Sequence, residues 1–333
     1  MQKALITGIT GQDGAYLAKS LLEKGIKVFG GQRRSTTIRY WRLDEMGITK
    51  DIEFVELDLL DHANIRRAME KVEPDYVYNL AAQSFVALSF EQPELTTLID
   101  AMGVLRCLEA IKQVNPKIKF YQASSSEQFG NVQEVPQNEK TKFWPRSPYA
   151  CAKVFGHNIT VNYRESYDMF ACCGILFNHE SPHRGEEFVT RKISKGIASW
   201  LINHEPIVLG NLEAKRDWGH AEDFVEGMQL MMNHEKPDDY VLATGEVYSI
   251  KDFINLALES QNINFFWEKD NCFSEDKKTI ITTDKKFFRP AEVNLLQGDS
   301  SKAREKLGWK PKHTLKTLVK EMIEKDISRL SRI

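Results

Sequence analysis

The sequence predicts an α/β protein with a Rossmann-type doubly wound parallel sheet and a smaller mixed α/β lobe. Three observations support this fold class. Short apolar runs alternate with longer helix-like segments through the first two-thirds of the chain, glycines cluster in the first turn, and the alternation ends near residue 180. Regular strand–helix alternation is typical of a parallel sheet that is covered by helices on both faces.

The predicted elements follow one another in order. "KALITG" is the first strand, "AYLAKSLLEKG" the first helix and "KVFGGQ" the second strand; "ANIRRAMEKV" and "GVLRCLEAIKQ" are helix-like, and "YVYNLAA" and "KFYQASS" are further strands. Beyond residue 180 the pieces are irregular. The stretch "EKDNCFSEDKKTIITTDKKFFRPAE" is charged and loop-like, and we interpret its run "EDKKTIITTDKK" as a solvated loop. We predict a Rossmann domain over residues 1–178, to which segments near 212–245 return, and a discontinuous lobe formed mainly by residues 179–333.

Composition excludes several classes of protein. Charged residues make up 28% of the 333 residues and the formal net charge is −2, so no broad affinity for nucleic acid or membrane is expected. The amino terminus lacks a signal-peptide pattern, and no apolar run approaches the ~18 residues of a membrane span, which predicts a cytoplasmic protein. The five cysteines are odd in number and form no CxxC pair, so we predict buried free thiols and neither a disulfide framework nor a metal site.

The first turn has the form of a phosphate-binding loop. Gly8, Gly11 and Gly14 stand between the first strand and the first helix. Glycines at this point let backbone amides approach a pyrophosphate at the amino terminus of the helix. The context therefore predicts binding of a dinucleotide.

The end of the second strand indicates which dinucleotide. An acidic residue at this position would hold the ribose hydroxyl of NAD, but the strand is followed by Arg33, Arg34 and Ser35. Arginine favours the 2′-phosphate, so we predict NADP. Asp58 follows the third strand and could contact the adenine, while residues 79–84 follow the fourth strand and could flank the ribose and nicotinamide.

The stretch "SPYACAK" places a tyrosine and a lysine on one face of a helix. Ser147 is a suitable N-cap and Pro148 suits the first helical position, so a helix is predicted to begin here. Tyr149 and Lys153 are four residues apart and can approach one ligand. A nearby cation favours phenolate, so we expect Lys153 to lower the pKa of Tyr149 and make it an acid or base.

A hydroxyl group and a carboxylate follow the fifth strand. Ser125 at this strand end, together with Tyr149 and Lys153, is suited to oxidation of an alcohol by hydride transfer to a nicotinamide. Glu127 is not needed for that step. A second base indicates a second proton transfer, next to a carbon that has been oxidised to a ketone.

These motifs resemble the GDP-mannose 4,6-dehydratase family of the extended short-chain dehydrogenases/reductases. The resemblance runs in order over essentially the whole chain through "ITGITGQDGAYLA", "KFYQASSSE", "RSPYACAK", "ITVNYRESY", "GILFNHESPHRGEEFVTRKI", "RDWGHAEDFVEGM" and "FFRPAEVNLLQGD". It implies a lyase that oxidises C4 of a GDP-sugar, eliminates water across C5 and C6, and returns the hydride to C6. Tyr149 would take the proton of the C4 hydroxyl and Glu127 the proton at C5.

The resemblance also implies a set of site residues. The catalytic residues would be Ser125, Glu127, Tyr149 and Lys153. NADP would be bound by Gly8, Thr10, Gly11, Gln12, Asp13, Gly14, Arg33, Arg34, Ser35, Asp58, Leu59, Leu80, Ala81, Ala82, Gln83, Ser84, Lys153, His179 and Arg184. The GDP-sugar would be bound by Ser84, Ser125, Glu127, Asn178, Val189, Lys192, Arg216 and Arg289.

Departures from the family pattern leave the sugar open. Ser125 stands where the family has threonine, His183 replaces an arginine or leucine, and the segment "EQFGNVQEV" differs near the pocket. The sugar is GDP-mannose or a GDP-manno-heptose; an epimerase or reductase, which has no use for Glu127, and a non-catalytic NADP sensor are the alternatives. The family implies a homodimer or homotetramer, in which the loop of Arg34 and Ser35 could reach a neighbouring subunit.

Overall fold

The computed structural model describes residues 1–37, 40–287, 293 and 295–331. Arg289, a predicted substrate residue, therefore lies outside the described residues. The strands are β1 (Lys3–Thr7), β2 (Lys27–Gln32), β3 (Glu53–Glu56), β4 (Tyr76–Asn79), β5 (Lys119–Ser125), β6 (Ala171–Leu176), β7 (Asn178–Glu180), β8 (Ile207–Leu209), β9 (Lys215–Arg216), β10 (Trp218–His220), β11 (Asp239–Leu242), β12 (Tyr248–Ser249), β13 (Phe265–Glu268), β14 (Asn271–Ser274) and β15 (Thr279–Thr283).

The helices alternate with the strands of the first half of the chain. They are α1 (Gln12–Glu23), α2 (Trp41–Glu45), α3 (His62–Val72), α4 (Val86–Glu91), α5 (Pro93–Asp100), α6 (Met102–Val114), α7 (Pro148–Tyr167), α8 (Val189–Asn203), α9 (Ala221–Asn233), α10 (Ile250–Ser260), α11 (Ser301–Leu307) and α12 (Leu315–Leu330). Short 3-10 helices cover Thr49–Asp51, Ser126–Gln128 and Lys285–Phe287. No helix among these described residues combines the length and the apolar character needed to cross a membrane.

The central sheet is parallel and has the strand order β11-β6-β5-β4-β1-β2-β3. Successive residues of a strand point to opposite faces. Ile6 of β1 accordingly packs in one core with α1 and α9, and Leu5 packs in another with α3 and α6. Helices on both faces of a parallel sheet confirm the predicted Rossmann-type doubly wound fold.

A third core lies outside this sheet. Helices α8, α10 and α12 enclose it against a mixed sheet of order β13-β14-β15-β8. The prediction of a solvated loop is wrong here, since "EKDNCFSEDKKTIITTDKKFFRPAE" contains β14 and β15. Among the described residues its charges lie outside β14 and β15, at residues 268–270, 275–278 and 284–286, whereas Ile280 and Ile281 of β15 are fully buried.

Four of the five cysteines are buried, as predicted: Cys107, Cys172, Cys173 and Cys272. The prediction is wrong for Cys151, which is exposed on α7. Burial raises the pKa of the thiols of Cys107, Cys172 and Cys272 to about 12. These thiols are therefore protonated at neutral pH.

Candidate active site

A cleft of about 1040 Å³ lies at the carboxyl ends of the central strands. Its walls are formed by the segments that follow β1 to β6, and this edge is where parallel α/β sheets bind ligands. Most of the predicted cofactor residues line it. They are Gly8, Thr10, Gly11, Gln12, Asp13, Gly14, Arg33, Ser35, Asp58, Leu59, Leu80, Ala81, Ala82, Gln83, Ser84, Lys153, His179 and Arg184.

The glycine loop leaves no room for side chains. Gly8 has a positive φ of 70°, and a Cβ on Gly14 would lie 2.4 Å from the Gly8 carbonyl oxygen. The N-cap of α1 is Gly11, so no side chain caps the first turn of the helix. Backbone N–H groups at such a helix start can bind an anion, which is the property the sequence predicted.

An ion pair joins the first turn of α1 to β7. His179 donates from Nδ1 to the Phe177 carbonyl oxygen at 2.7 Å and from Nε2 to Asp13 at 2.8 Å. Neither acceptor has a proton to give, so both ring nitrogens carry hydrogen and the imidazole is a cation. Burial opposes both charges, but the attraction outweighs it: the pKa of Asp13 is lowered to about 2 and that of His179 is raised.

Gln12 strengthens the same junction. Its side-chain amide donates to the His179 carbonyl oxygen at 3.1 Å and to Asp13 at 3.0 Å, and it accepts from the Ser181 hydroxyl at 2.8 Å. Residues that are more than 160 positions apart in sequence are thereby fixed beside one another. The glycine loop cannot move independently of the segment after β6.

The far end of the cleft carries the predicted arginines. Arg33 and Ser35 follow β2, are exposed and line the cleft, whereas Arg34 is exposed outside its lining. Sequence reasoning missed Trp41 and Arg42 of α2, which also line the cleft. The Arg42 guanidinium lies 4.3 Å from the Trp41 ring and donates to the carbonyl oxygens of Thr10 and His183 at 3.0 and 2.7 Å.

Helix α7, which carries the predicted catalytic residues Tyr149 and Lys153, begins where it was predicted to begin. Ser147 is the N-cap of α7, its hydroxyl accepts from the Ala150 amide at 3.1 Å, and Pro148 is the first helical residue. Tyr149 and Lys153 of this helix both line the cleft and are 8% and 4% exposed. The sequence signals thus specified both the helix and the face that meets the cleft.

The end of β5 supplies the remaining predicted catalytic groups. Ser125 is the last residue of β5 and its hydroxyl accepts from the Glu127 amide at 3.2 Å. Glu127 lies in the short 3-10 helix that follows, half-buried and lining the cleft. The Lys153 ammonium donates to the Ala123 carbonyl oxygen of the same strand at 3.0 Å.

The prediction that Lys153 lowers the pKa of Tyr149 is wrong in this structure. Burial raises the pKa of the Tyr149 hydroxyl, Asp100 and Glu127 raise it further, and a hydrogen bond from Ser125 and the charge of Arg184 oppose this effect. The Lys153 ammonium lies 5.7 Å from the Tyr149 ring centroid, and burial lowers its own pKa while Asp100 opposes that change. Burial cannot be judged from the spacing of two residues on a helix.

The predicted substrate residues are only partly brought together. Ser84, Ser125, Glu127 and Asn178 line the cleft, and the Asn178 Oδ1 is buried without a hydrogen-bond partner in the described part of the chain. Val189, Lys192 and Arg216 lie outside the lining. Val189 and Lys192 are on α8, and Arg216 is buried on β9.

Two aromatic residues at this end of the cleft were not predicted. Phe85 and Phe188 line it and their rings meet edge to face, with centroids 6.2 Å apart. The Arg184 guanidinium lies 3.6 Å from the Phe188 ring centroid and its Nε is 2.9 Å from Glu180. Neither phenylalanine stands in a pattern that distinguishes it from a core residue in the sequence.

Solved structures share this fold along their whole length. The UDP-glucose 4-epimerase of Thermotoga maritima, solved with UDP-glucose, has a TM-score of 0.83 at 23% identity and covers 100% of both chains. The dTDP-glucose 4,6-dehydratase of Bacillus anthracis, solved with NAD, has a TM-score of 0.81 at 17% identity and covers 99% of this chain and 98% of that one. The fold is therefore the Rossmann-type fold of these two sugar-nucleotide enzymes.

Sequence comparison identifies the family, which the shared fold alone does not. The family model for GDP-mannose 4,6 dehydratase matches residues 5–322, so the chain belongs to that family. It is 47% identical to the GDP-mannose 4,6-dehydratase of Yersinia enterocolitica over 99% of this chain and 95% of that protein. It is also 47% identical to the GDP-mannose 4,6 dehydratase of Homo sapiens, over 97% and 91% of the two chains. The chain is thus a dehydratase of GDP-sugars, a lyase, as the sequence predicted.

Proposed function

We propose that this protein converts GDP-mannose to GDP-4-keto-6-deoxy-mannose with NADP as its cofactor. The observation that carries the proposal is the presence of Glu127 in the same cleft as Ser125, Tyr149 and Lys153. An alcohol oxidation alone needs no carboxylate, whereas elimination of water needs a base for the C5 proton. GDP-manno-heptose, which would need the same groups, is the alternative substrate.

The residues present fit a dinucleotide phosphate. A Cβ on Gly8 would lie 2.8 Å from the Ala81 amide nitrogen, so only glycine at this position leaves space in the loop for a phosphate. Arg33 is exposed at the end of β2 and could pair with a 2′-phosphate, which an acidic residue would repel. When bound, the nicotinamide supplies a hydride acceptor that takes hydrogen from C4 and returns it at C6.

Tyr149, Ser125 and Lys153 act on the C4 hydroxyl in this proposal. Tyr149 accepts the hydroxyl proton, and Ser125 donates a hydrogen bond to the same oxygen. Burial disfavours the phenolate of Tyr149, so a positive charge brought into the cleft would assist its ionisation. The Lys153 ammonium, fixed by the Ala123 carbonyl oxygen, provides part of that charge.

Glu127 then acts at C5. Once C4 is a ketone, the neighbouring proton is acidic, and Glu127 removes it while the C6 hydroxyl leaves as water. The proton that Glu127 takes from C5 leaves with the C6 hydroxyl as water, and the proton that Tyr149 took from the C4 hydroxyl goes to C5 when the hydride returns to C6. C4 therefore stays a ketone, and both residues regain their starting protonation states.

The GDP moiety would be held mainly by the second lobe, formed mainly by residues 179–333, with Asn178 and Arg216 contributed by the Rossmann domain. Asn178, Val189, Lys192, Arg216 and Arg289 are proposed to contact it, as the family resemblance implies. The Asn178 Oδ1 supports this role, because a buried acceptor without a partner is suited to a ligand N–H or O–H group. Residues 1–178, with the segments near 212–245, would hold the cofactor.

A mass-spectrometric assay tests the substrate. We expect loss of one water from GDP-mannose, and from GDP-manno-heptose more slowly or not at all; the reverse ranking would transfer the proposal to the heptose. Substrate deuterated at C4 should give product deuterated at C6 without consumption of cofactor. Deuterium lost to solvent would favour an epimerase or reductase instead.

A variant of Glu127 tests the elimination step. Glu127→Gln keeps the shape but removes the base, so C4 oxidation should continue, dehydration should stall, and reduced nicotinamide should accumulate in the absorption spectrum. Glu139→Gln is a control, because Glu139 does not line the cleft. Dehydration at the normal rate in Glu127→Gln would refute the assigned role.

We also propose that the protein is a homodimer or homotetramer. Phe90 of α4, Leu95 of α5 and Phe155 of α7 are 38%, 37% and 40% exposed, and these helices are packed against one another. Exposed apolar side chains on helices that pack against one another are typical of a subunit interface. Light scattering of the wild-type protein and of Phe155→Asp measures the mass; a monomer in the wild type contradicts this proposal.

A further inference from the structure

Asp100 is a buried carboxylate to which the proposed mechanism gives no role. It is the last residue of α5 and is 2% exposed. Its Oδ1 accepts from the backbone amide of Gln83 at 2.8 Å, while its Oδ2 is buried and has no hydrogen-bond partner among the described residues. Burial, a missing partner and the negative end of a helix dipole all oppose its charge. A position so unfavourable to a carboxylate indicates that the negative charge of Asp100 has a function.

Helix α7, which carries Tyr149 and Lys153, lies directly against the backbone of Asp100. Gly156 follows Lys153 by one turn on α7, and a Cβ on Gly156 would lie 3.2 Å from the Asp100 carbonyl oxygen. The charge of Asp100 acts on both Lys153 and Tyr149, while Asp13 also acts on Lys153, and Glu127 and Arg184 act on Tyr149. Gln83, which Asp100 holds, lines the cleft. Asp100 thus touches the cleft loop with one oxygen and influences the catalytic pair with its charge.

We propose that Asp100 is a positioning residue that keeps Lys153 protonated inside the cleft and fixes the loop after β4 through Gln83. The proposal rests on the roles of Tyr149 and Lys153 given above. It adds Asp100, a residue to which the proposed mechanism gives no role. A buried lysine tends to lose its charge, and an ionised carboxylate close to it restores the cation. The same carboxylate disfavours the Tyr149 phenolate, so it favours transfer of the C4 hydroxyl proton to Tyr149 during oxidation.

The effect of Asp100 on Lys153 and Tyr149 depends on pH. Burial raises the pKa of Asp100 to about 6, with Lys153 and the Gln83 amide opposing that change. Asp100 is therefore mostly ionised at pH 7 and mostly protonated at pH 5. Removing its charge should lower the pKa of both Lys153 and Tyr149, because each loses a neighbouring negative charge.

Two substitutions separate the charge from the anchoring contact. In Asp100→Asn the side-chain oxygen still accepts from Gln83 but the charge is gone; in Asp100→Ala both are lost. We expect both limbs of the pH profile of kcat to move to lower pH by about one unit in Asp100→Asn, with KM for GDP-mannose nearly unchanged. Asp100→Ala should show the same displacement and, in addition, weaker NADP binding.

Glu139→Gln is the matched control. Glu139 is half-buried, accepts from the backbone amide of Val241 at 2.8 Å, and has a pKa that burial raises. It does not line the cleft, so its substitution should leave the pH profile in place. An unchanged profile in Asp100→Asn, or an equal displacement in Glu139→Gln, would overturn the proposal.

Thermal unfolding gives a readout that needs no substrate. Because the pKa of Asp100 lies above its ordinary value of 3.8, its contribution to stability is fully present below about pH 4 and is lost as pH rises through about 6. The Asp100→Asn variant does not lose stability in this way. The Tm of the variant minus the Tm of wild type should therefore increase between about pH 5 and about pH 7.5. If the difference in Tm between Asp100→Asn and wild type does not change over this interval, Asp100 does not titrate as proposed.

Lys153→Met provides a second variant if Asp100→Asn does not fold. Without the ammonium group, the pKa of Asp100 should rise further, so the loss of stability should move to higher pH. An unmoved transition would show that the two side chains are not coupled. If the wild type fails to dehydrate any GDP-sugar but these transitions behave as described, the proposed function falls and the coupling of Asp100 to Lys153 stands.

Discussion

The ion pair between Asp13 and His179 can be tested by the substitution Asp13→Asn. The variant keeps the size of the side chain but leaves the buried His179 cation without its counter-charge. The difference between the ordinary pKa of 3.8 and the value of about 2 corresponds to about 2 kcal/mol of stability at neutral pH. His179 can release its proton when the carboxylate is gone, which limits the loss. We therefore expect the variant to be about 2–3 kcal/mol less stable at pH 7.

The pH dependence of this difference has a definite sign. The raised pKa of His179 means that its contribution is fully present below its ordinary value of 6.5 and is lost as pH rises through the higher value in the folded protein. The lowered pKa of Asp13 means that its contribution is lost only as pH falls from 3.8 towards about 2. Wild type and variant should consequently converge in stability on the alkaline side of pH 7.

Urea unfolding followed by tryptophan fluorescence measures the free energy of unfolding at a series of pH values. Asp75→Asn is the control, since Asp75 accepts from the Lys3 amide at 2.8 Å but is exposed, and its substitution should cost about 0.5 kcal/mol or less. A loss below about 0.5 kcal/mol in Asp13→Asn, or a loss that is constant from about pH 6 to about pH 9, would refute the buried ion pair.

Three further substitutions test the cleft. Arg33→Asp should weaken NADP binding much more than NAD binding in calorimetric titrations, because it replaces attraction to the 2′-phosphate by repulsion; equal weakening speaks against the role of Arg33. Tyr149→Phe should bind cofactor and GDP-mannose normally but lose most of kcat, and near-normal turnover would contradict its role as a base. Gly14→Ala should abolish NADP binding, since its Cβ would lie 2.7 Å from the Ile9 Cα and the loop must distort; Gly25→Asn, at an open position with positive φ, is the control and should bind normally.

Local signals in the sequence predicted much of this site correctly. Ser147 and Pro148 specified the start of α7 because N-caps and first-turn prolines act within one turn of a helix. The glycine loop was equally local, because the strand before it and the helix after it are contiguous in sequence. Predictions of this kind need no knowledge of how distant segments pack.

The errors arose where distant segments decide the outcome. β15 pairs with β8, so Ile281 lies opposite Ile207 in a sheet that no local pattern of the charged stretch reveals. Arg42 reaches the cleft only because its guanidinium bonds to the Thr10 and His183 carbonyl oxygens. The pKa of Tyr149 depends on burial by the whole fold and on Asp100, a residue 49 positions earlier, rather than on the lysine one turn away.

The distribution of the thiols allows α7 to be labelled at one position. Cys151 is the exposed cysteine among the five of the chain, and the others have high pKa values or are enclosed in the cores. In the dissociated chain a maleimide reagent at neutral pH should therefore attach a single fluorophore, at Cys151. Phe155 of the proposed subunit interface follows Cys151 by one turn on the same face of α7, so association of subunits should slow this labelling. Because residues two apart on a helix point in different directions, the dye should stay clear of the cleft while remaining two residues from Tyr149. Such a label would report ligand entry as a change in emission, without any mutation of the protein.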